Sequence, residues 1–178
     1  MDDSTGYCFA PGSKVLLADG SRQCIEYLKR GDLVSTPGGP SAVIAIVECR
    51  RHSFVHKLAT VRGATGCVTI TPWYPYRLKG TKHWIRPVDS CTYTEYYMPC
   101  VYGIVLEAYH CIEVDGLEFP TLGHGMEDPV VDHRYFGTPT VIRSLQNQPG
   151  WDTGRPIFKN LVVGHNMVNG EINGWFDE

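Results

Sequence analysis

Seven cysteines, at positions 8, 24, 49, 67, 91, 100 and 111, are scattered through 178 residues with no C-x-x-C pair among them. The odd number and irregular spacing suit a reducing compartment better than a disulfide framework. Most are expected to be small buried hydrophobes, and at least one is a candidate nucleophile. Cys8 has a reaction partner next to it, because its thiol follows the Tyr7 carbonyl directly. Attack through a five-membered ring would pass the acyl group from nitrogen to sulfur and turn an amide into a thioester. That exchange is uphill, so a site performing it must distort the bond between Tyr7 and Cys8 and protonate the departing nitrogen. An acid with a pKa close to neutrality is required.

The remaining reactive side chains read as ordinary. His52 and His56 are four apart, but they lie in a strand-rich region beside Arg50 and Arg51 and are expected at the surface, not as zinc ligands. His124, Asp128, Asp132 and His133 are metal-capable at irregular spacing in a loop-rich stretch, where such residues are usually solvated. No metal and no cofactor are expected. Trp73, Trp84, Trp151 and Trp175 are expected to pack in the core or in a lid.

The elements that must position Cys8 are short strands. With 19 glycines and 12 prolines the chain is punctuated too often for long helices, which points to an all-β fold. Asp19-Gly20 and Asp115-Gly116 mark tight turns, and one short helical turn is expected near Ile25 to Lys29, ending at Gly31. The runs "SAVIAIVECRRHS", "FVHKLATVRG", "CVTIT", "HWIRPVDS", "VYGIVLEAYHCIEV" and "LEFPTLG" read as strands. Beyond Met126 the texture changes, with one short helix near Val141 to Leu145, the turn-rich "NQPGWDTGRP", and a polar tail "NGEINGWFDE" expected to fray. The expected organisation is an upstream flank at 1–7, a β core at 8–125 and a C-terminal extension at 126–178. Sixteen Lys and Arg against 19 acidic residues give a net charge of −3, with no basic field for nucleic acid. No apolar run approaches the roughly 18 residues that span a bilayer, and "MDDSTGY" is unlike a secretory signal. A soluble, cytoplasmic chain is expected.

In order along the chain stand Cys8 with "VLLADG" and "GDLV", then "TITPWYP", "VYGIVLE", "TLGHG", "HRYFGT" and "PGW". This ordered set, covering most of residues 8 to 151, resembles the Hint superfamily, the self-processing domains of hedgehog C-terminal regions and inteins, and within it the Vint subgroup, often found beside von Willebrand A-type domains. The resemblance implies an all-β, horseshoe-like fold with pseudo-twofold symmetry. It also implies autoproteolysis, with the chain's own N-terminal flanking polypeptide as substrate and, as a possible neighbour, a von Willebrand A-type domain.

The resemblance further implies a T-x-x-H motif whose threonine holds the scissile amide and whose histidine is the acid. Here the motif reads Thr71-Pro72-Trp73-Tyr74, so the threonine is present and tyrosine replaces the histidine. A phenol, with a reference pKa of about 10, is a far poorer proton donor than imidazolium at about 6.5, and a slow or stalled first step is expected. Tyr74 is open to three readings at this point: an engineered block, a natural loss of activity, or a working substitute assisted by another histidine. His110 is implied to line the site. His124 stands where an intein carries its penultimate histidine, but Gly125 follows, and without the cyclising asparagine splicing there is excluded on chemical grounds. His165-Asn166 resembles an intein ending, yet Met167 behind it offers no nucleophile, and Asn166 reads equally as a turn residue. Glu48 loosely resembles the acidic residue that activates the sterol in hedgehog domains; its plainer reading is an edge-strand charge. Water, a small thiol or an amine is the expected acceptor of the thioester. Two other functions remain: an interaction module that has lost catalysis, and a cysteine hydrolase acting in trans through Cys8 and His110.

Overall fold

The computed structural model describes residues 6–178. Residues 1–5, most of the expected upstream flank, lie outside the described residues.

The described residues fold into fourteen short strands and one α-helix. In order they are β1 (Lys14–Leu16), β2 (Arg22–Cys24), β3 (Leu33–Thr36), β4 (Gly39–Arg50), β5 (Val55–Arg62), β6 (Cys67–Ile70), β7 (Arg77–Leu78), β8 (Tyr93–Tyr97), β9 (Cys100–Leu106), β10 (Cys111–Val114), β11 (Leu117–Pro120), α1 (Pro139–Gln146), β12 (Ile157–Phe158), β13 (Leu161–His165) and β14 (Ile172–Asp177). Five strands form one sheet in the order β2-β1-β10-β11-β7, while β6-β5-β8 form another. The long β4 carries β3 antiparallel along Gly39 to Ala42, β9 antiparallel along Val43 to Arg50, and β12 parallel at Glu48 and Cys49.

Local chemistry explains the turns. Asp19 caps the β1-β2 hairpin by accepting from Ser21 N–H at 2.9 Å and from its hydroxyl at 2.6 Å. Asp115 and Gly116 both take positive φ, +51° and +82°, the mirror-image turn whose twist matches the β10-β11 pair. The expected helical turn is a single 3-10 turn at Ile25–Tyr27, and the helix near Val141 is α1, whose first turn is capped by the Thr138 hydroxyl.

Four expectations need correction. "HWIRPVDS" is not a strand: it holds an isolated bridge at Ile85 and a 3-10 turn at Pro87–Asp89, because Pro87 has no N–H for a ladder. The tail does not fray. It forms β14, paired with β13, and buries Ile172 and Trp175. Glu48 is not on an edge, since β4 lies between β12 and β9, and its carboxylate takes Arg155 Nε at 2.8 Å and Arg50 at 3.2 Å. His56 is buried, only 1 % exposed, because on β5 it takes an inward position of the alternation.

Residues on both sides of Gly125 build one core. Val15, Ile46, Leu58, Ile70 and Phe119 share a cluster with Tyr135, Phe136, Leu145, Phe158 and Trp175. Arg155 ties the later segment to the earlier one by donating to the Glu26 carbonyl at 2.7 Å as well as to Glu48. The C-terminal segment thereby reaches the place where Cys8 enters the fold.

Candidate active site

Residues Cys8 to Ala10 are threaded between two strands. Phe9 exchanges backbone hydrogen bonds with Tyr102 of β9, both at 2.8 Å, while Ala10 N–H donates to the Thr69 carbonyl of β6 at 2.9 Å and Thr71 N–H to the Cys8 carbonyl at 3.0 Å. Beyond Ile70 the ladder stops, because Pro72 brings no N–H. Thr71 to Tyr74 instead close a β-turn, with Tyr74 N–H donating to the Thr71 carbonyl at 3.1 Å and proline at the position that favours its fixed φ. The turn brings the Thr71 hydroxyl against the backbone of the entering chain and the Tyr74 ring against its Tyr7 side chain.

The Thr71 hydroxyl spans the bond that precedes Cys8. Its Oγ1 accepts from Cys8 N–H at 3.1 Å and donates to the Gly6 carbonyl, so one side chain grips the backbone before and after Tyr7. Thr71 and Cys8 are both fully buried. The Cys8 thiol donates to Cys49 Sγ across 3.8 Å, and burial pushes the Cys49 thiol well up and keeps it protonated.

Tyr74 is turned to another task. Its hydroxyl donates to the Pro120 carbonyl at 2.6 Å, and its ring stacks on Tyr7 with centroids 4.7 Å apart and planes 6° from parallel. Burial, followed by the neighbouring Tyr7 and Cys8, raises its pKa well above that of a free phenol. The phenol therefore holds its proton and shares it with Pro120. The acceptor for the Cys8 nitrogen is Thr71, and among the described residues no histidine nitrogen is hydrogen-bonded to it.

The family model described as Vint, a Hint domain, matches residues 7–174. The chain belongs to this family. Two solved structures resemble the Vint domain: the bacterial intein-like domain from Clostridium thermocellum, with 16% identity, 64% of this chain and 98% of that chain covered, and a TM-score of 0.48; and the gp41-1 intein, with 11% identity, 65% and 100% covered, and a TM-score of 0.50. No curated protein matches. The Vint domain thus has the all-β Hint fold and a place in a superfamily of self-processing domains.

Of the residues singled out in the sequence, the Vint domain brings Tyr7, Cys8, Thr71 and Tyr74 into direct contact. His124 stands beside the Tyr7 ring, centroids 6.1 Å apart, with Nδ1 accepting from Met126 N–H at 2.9 Å. His110 lies within electrostatic reach of His124 and adopts a left-handed φ of +33° beside Tyr109 at +62°, a strained pair for residues with a Cβ. Burial lowers the pKa of His110, and lowers that of His124 to about 4, so both imidazoles are neutral at pH 7. Asn166 sits in the β13-β14 turn and accepts from Val168 N–H at 2.8 Å. No group of three or more metal-capable side chains converges among the described residues, and none of the helices is long and apolar enough to cross a membrane.

Several residues at the site carried no role in the sequence reading. Gly6, Val131, His133 and Phe136 surround the acyl side of Cys8, and Cys49 faces its sulfur. The signal for two of them, His133 and Phe136, lay in "HRYFGT", which was read for the family resemblance alone.

Buried histidines give the Vint domain a pH-dependent stability. His56 is held to a pKa of about 4 by burial and then by the Arg51 charge, an effect that the nearby Met98 backbone only partly offsets, and neither of its ring nitrogens is hydrogen-bonded within the described residues. Between pH 6.5 and about 4 the unfolded chain binds protons at His56 and His124 that the folded chain refuses. Stability is therefore complete above about pH 6.5 and falls as the pH drops through that window, by on the order of 3 kcal/mol per histidine at most. Urea midpoints measured from pH 7.5 to 4.5 are expected to decline, and His56→Leu is expected to make the slope clearly shallower. An unchanged slope in that variant would show that His56 is not the titrating group.

Proposed function

We propose that this Vint domain is an autoprocessing domain that cleaves at Tyr7-Cys8. The observation that carries this reading is the Thr71 hydroxyl bridging Gly6 C=O and Cys8 N–H around a buried bond whose downstream residue is a thiol. The Cys8 sulfur attacks the Tyr7 carbonyl carbon, the C–S bond forms as the C–N bond breaks, and the thiol proton ends on the freed Cys8 nitrogen. Thr71 holds the scissile amide in place by accepting the Cys8 N–H while donating to the Gly6 carbonyl, so that the carbonyl carbon between them stays fixed before the thiol. Water, a small thiol or an amine then resolves the thioester and returns the Cys8 thiol.

One observation favours the second reading, a domain held in the uncleaved state. The Tyr74 proton goes to Pro120, leaving the departing nitrogen without a strong acid, so the chain as it stands is expected to react slowly.

The test is incubation of the full chain with hydroxylamine, read by mass spectrometry. Slow appearance of residues 1–7 as a hydroxamate is expected, and none from Cys8→Ala. Equal release from Cys8→Ala would remove the thiol from the reaction and with it this reading.

A further inference from the structure

Gly6 and Tyr7 are held by more than the bond's own chemistry requires. Gly6 has φ +97°, a conformation that side chains with a Cβ seldom adopt, and a Cβ built there would lie within the Phe136 ring. Two independent constraints therefore demand glycine. Tyr7 is only 4 % exposed; its ring lies between Tyr74, centroids 4.7 Å apart, and Phe136, at 5.0 Å and 19° from parallel, with His133 meeting it edge-on at 6.3 Å. At the end of this slot the Tyr7 hydroxyl donates to the carbonyl of fully buried Val131 at 3.1 Å.

We propose that the segment from Val131 to Phe136 is a recognition site for the residues on the acyl side of the cleavage point, so that the domain processes a chain reading Gly-Tyr before the cysteine. This rests on the reading of Cys8 as the nucleophile, and it adds the specificity of that reaction. The slot selects an aromatic ring by stacking on both faces and a para hydroxyl by the carbonyl at its end. Phenylalanine fills the slot but leaves the Val131 carbonyl short of its donor, the circumstance in which a site built for a hydroxyl rejects the analogue lacking it. Alanine leaves the slot empty and frees the backbone on which Thr71 acts. The recognition residues are about 125 positions away from their target in the chain, which gives the C-terminal segment a role at the cleavage point.

Two measurements on the full chain test this separately from the chemistry. The first is hydrogen exchange at the Cys8 amide, whose N–H is bonded to Thr71 Oγ1, compared among the parent, Tyr7→Phe, Tyr7→Ala and Gly6→Ala. Exchange is expected to rise at least tenfold in the two alanine variants and only slightly in Tyr7→Phe, which keeps the stack and serves as the folded control. Unchanged exchange in both alanine variants overturns the proposal whether or not any chain cleaves. The second is hydroxylamine release in the Tyr74→His background, expected to fall by about tenfold for Tyr7→Phe and by at least a hundredfold for the alanine variants. Release at parental rates from the alanine variants overturns recognition while leaving the nucleophile intact. Failure of the parent alone to release fragment counts against the autoprocessing reading, and exchange then decides the recognition site.

Discussion

A chain carrying Tyr74→His is expected to release residues 1–7 to hydroxylamine at least a hundredfold faster than the parent. The physical reason is the destination of one proton. In the parent, the phenol donates to the Pro120 carbonyl at 2.6 Å, and burial keeps its pKa well above the usual value, so it neither ionises nor offers its proton to the Cys8 nitrogen. An imidazole at the same position is shorter and loses the reach to Pro120. Its protonated form gives up a proton far more readily than a phenol, and general acid catalysis is typically worth 10² to 10⁴ in rate. The exchange has a cost in stability. Tyr74 is 1 % exposed, stacked on Tyr7 and met edge-on by Phe9 and Phe119, and losing part of that packing together with the Pro120 bond should cost about 2 kcal/mol. The measurement is therefore paired: release by mass spectrometry and melting by circular dichroism. A chain that stays folded and releases no faster than the parent would show that the step is limited elsewhere.

Trp175→Ala is expected to cost about 3–5 kcal/mol, the range for emptying a large aromatic site, and to lower the melting temperature by on the order of 10 °C for a domain of this size. Trp175 is 2 % exposed, meets the rings of Phe136, Phe158 and Tyr135 at 5.2, 5.7 and 6.3 Å, and donates its backbone N–H to the Tyr135 hydroxyl at 3.1 Å. Phe136 in turn is one wall of the Tyr7 slot. The expected secondary effect is faster exchange at Cys8, well removed in sequence from the substitution. A denaturant midpoint equivalent to less than about 1 kcal/mol of loss would mean that β14 lies on the core without supporting it.

Those two residues also mark how far the sequence could be read. Tyr74 was legible as a departure because the motif around it is local: Thr71, Pro72 and Tyr74 fall within one turn, and a turn is written in neighbouring residues. The same holds for Asp19-Gly20, for Asp115-Gly116 and for the short helix after Thr138. Trp175 was not legible. "NGEINGWFDE" has two glycines and five ionisable or amide side chains around Ile172 and Trp175, and only pairing with β13 and packing against α1 and Phe136 make it a strand. His56 was misplaced for a related reason: the alternation that buries it becomes visible only once β5 lies between β6 and β8. At the site itself, the approach of Phe136 to Gly6 joins positions 130 residues apart, and no local pattern announces it.

The threading of Cys8 to Ala10 between β6 and β9 has a kinetic meaning. The amine that would be freed at Cys8 belongs to a segment bonded to Tyr102, Thr69 and Thr71, while the acyl end is gripped at Tyr7 by Val131, Tyr74 and Phe136. On the proposed chemistry, neither end is free to diffuse when the bond between them opens, and the return attack of nitrogen on the thioester keeps the very high effective concentration of a well-oriented intramolecular reaction. The domain would then behave as a reversible latch whose open form is scarce, and the yield of cleavage would be set by how often an outside nucleophile arrives before the latch recloses.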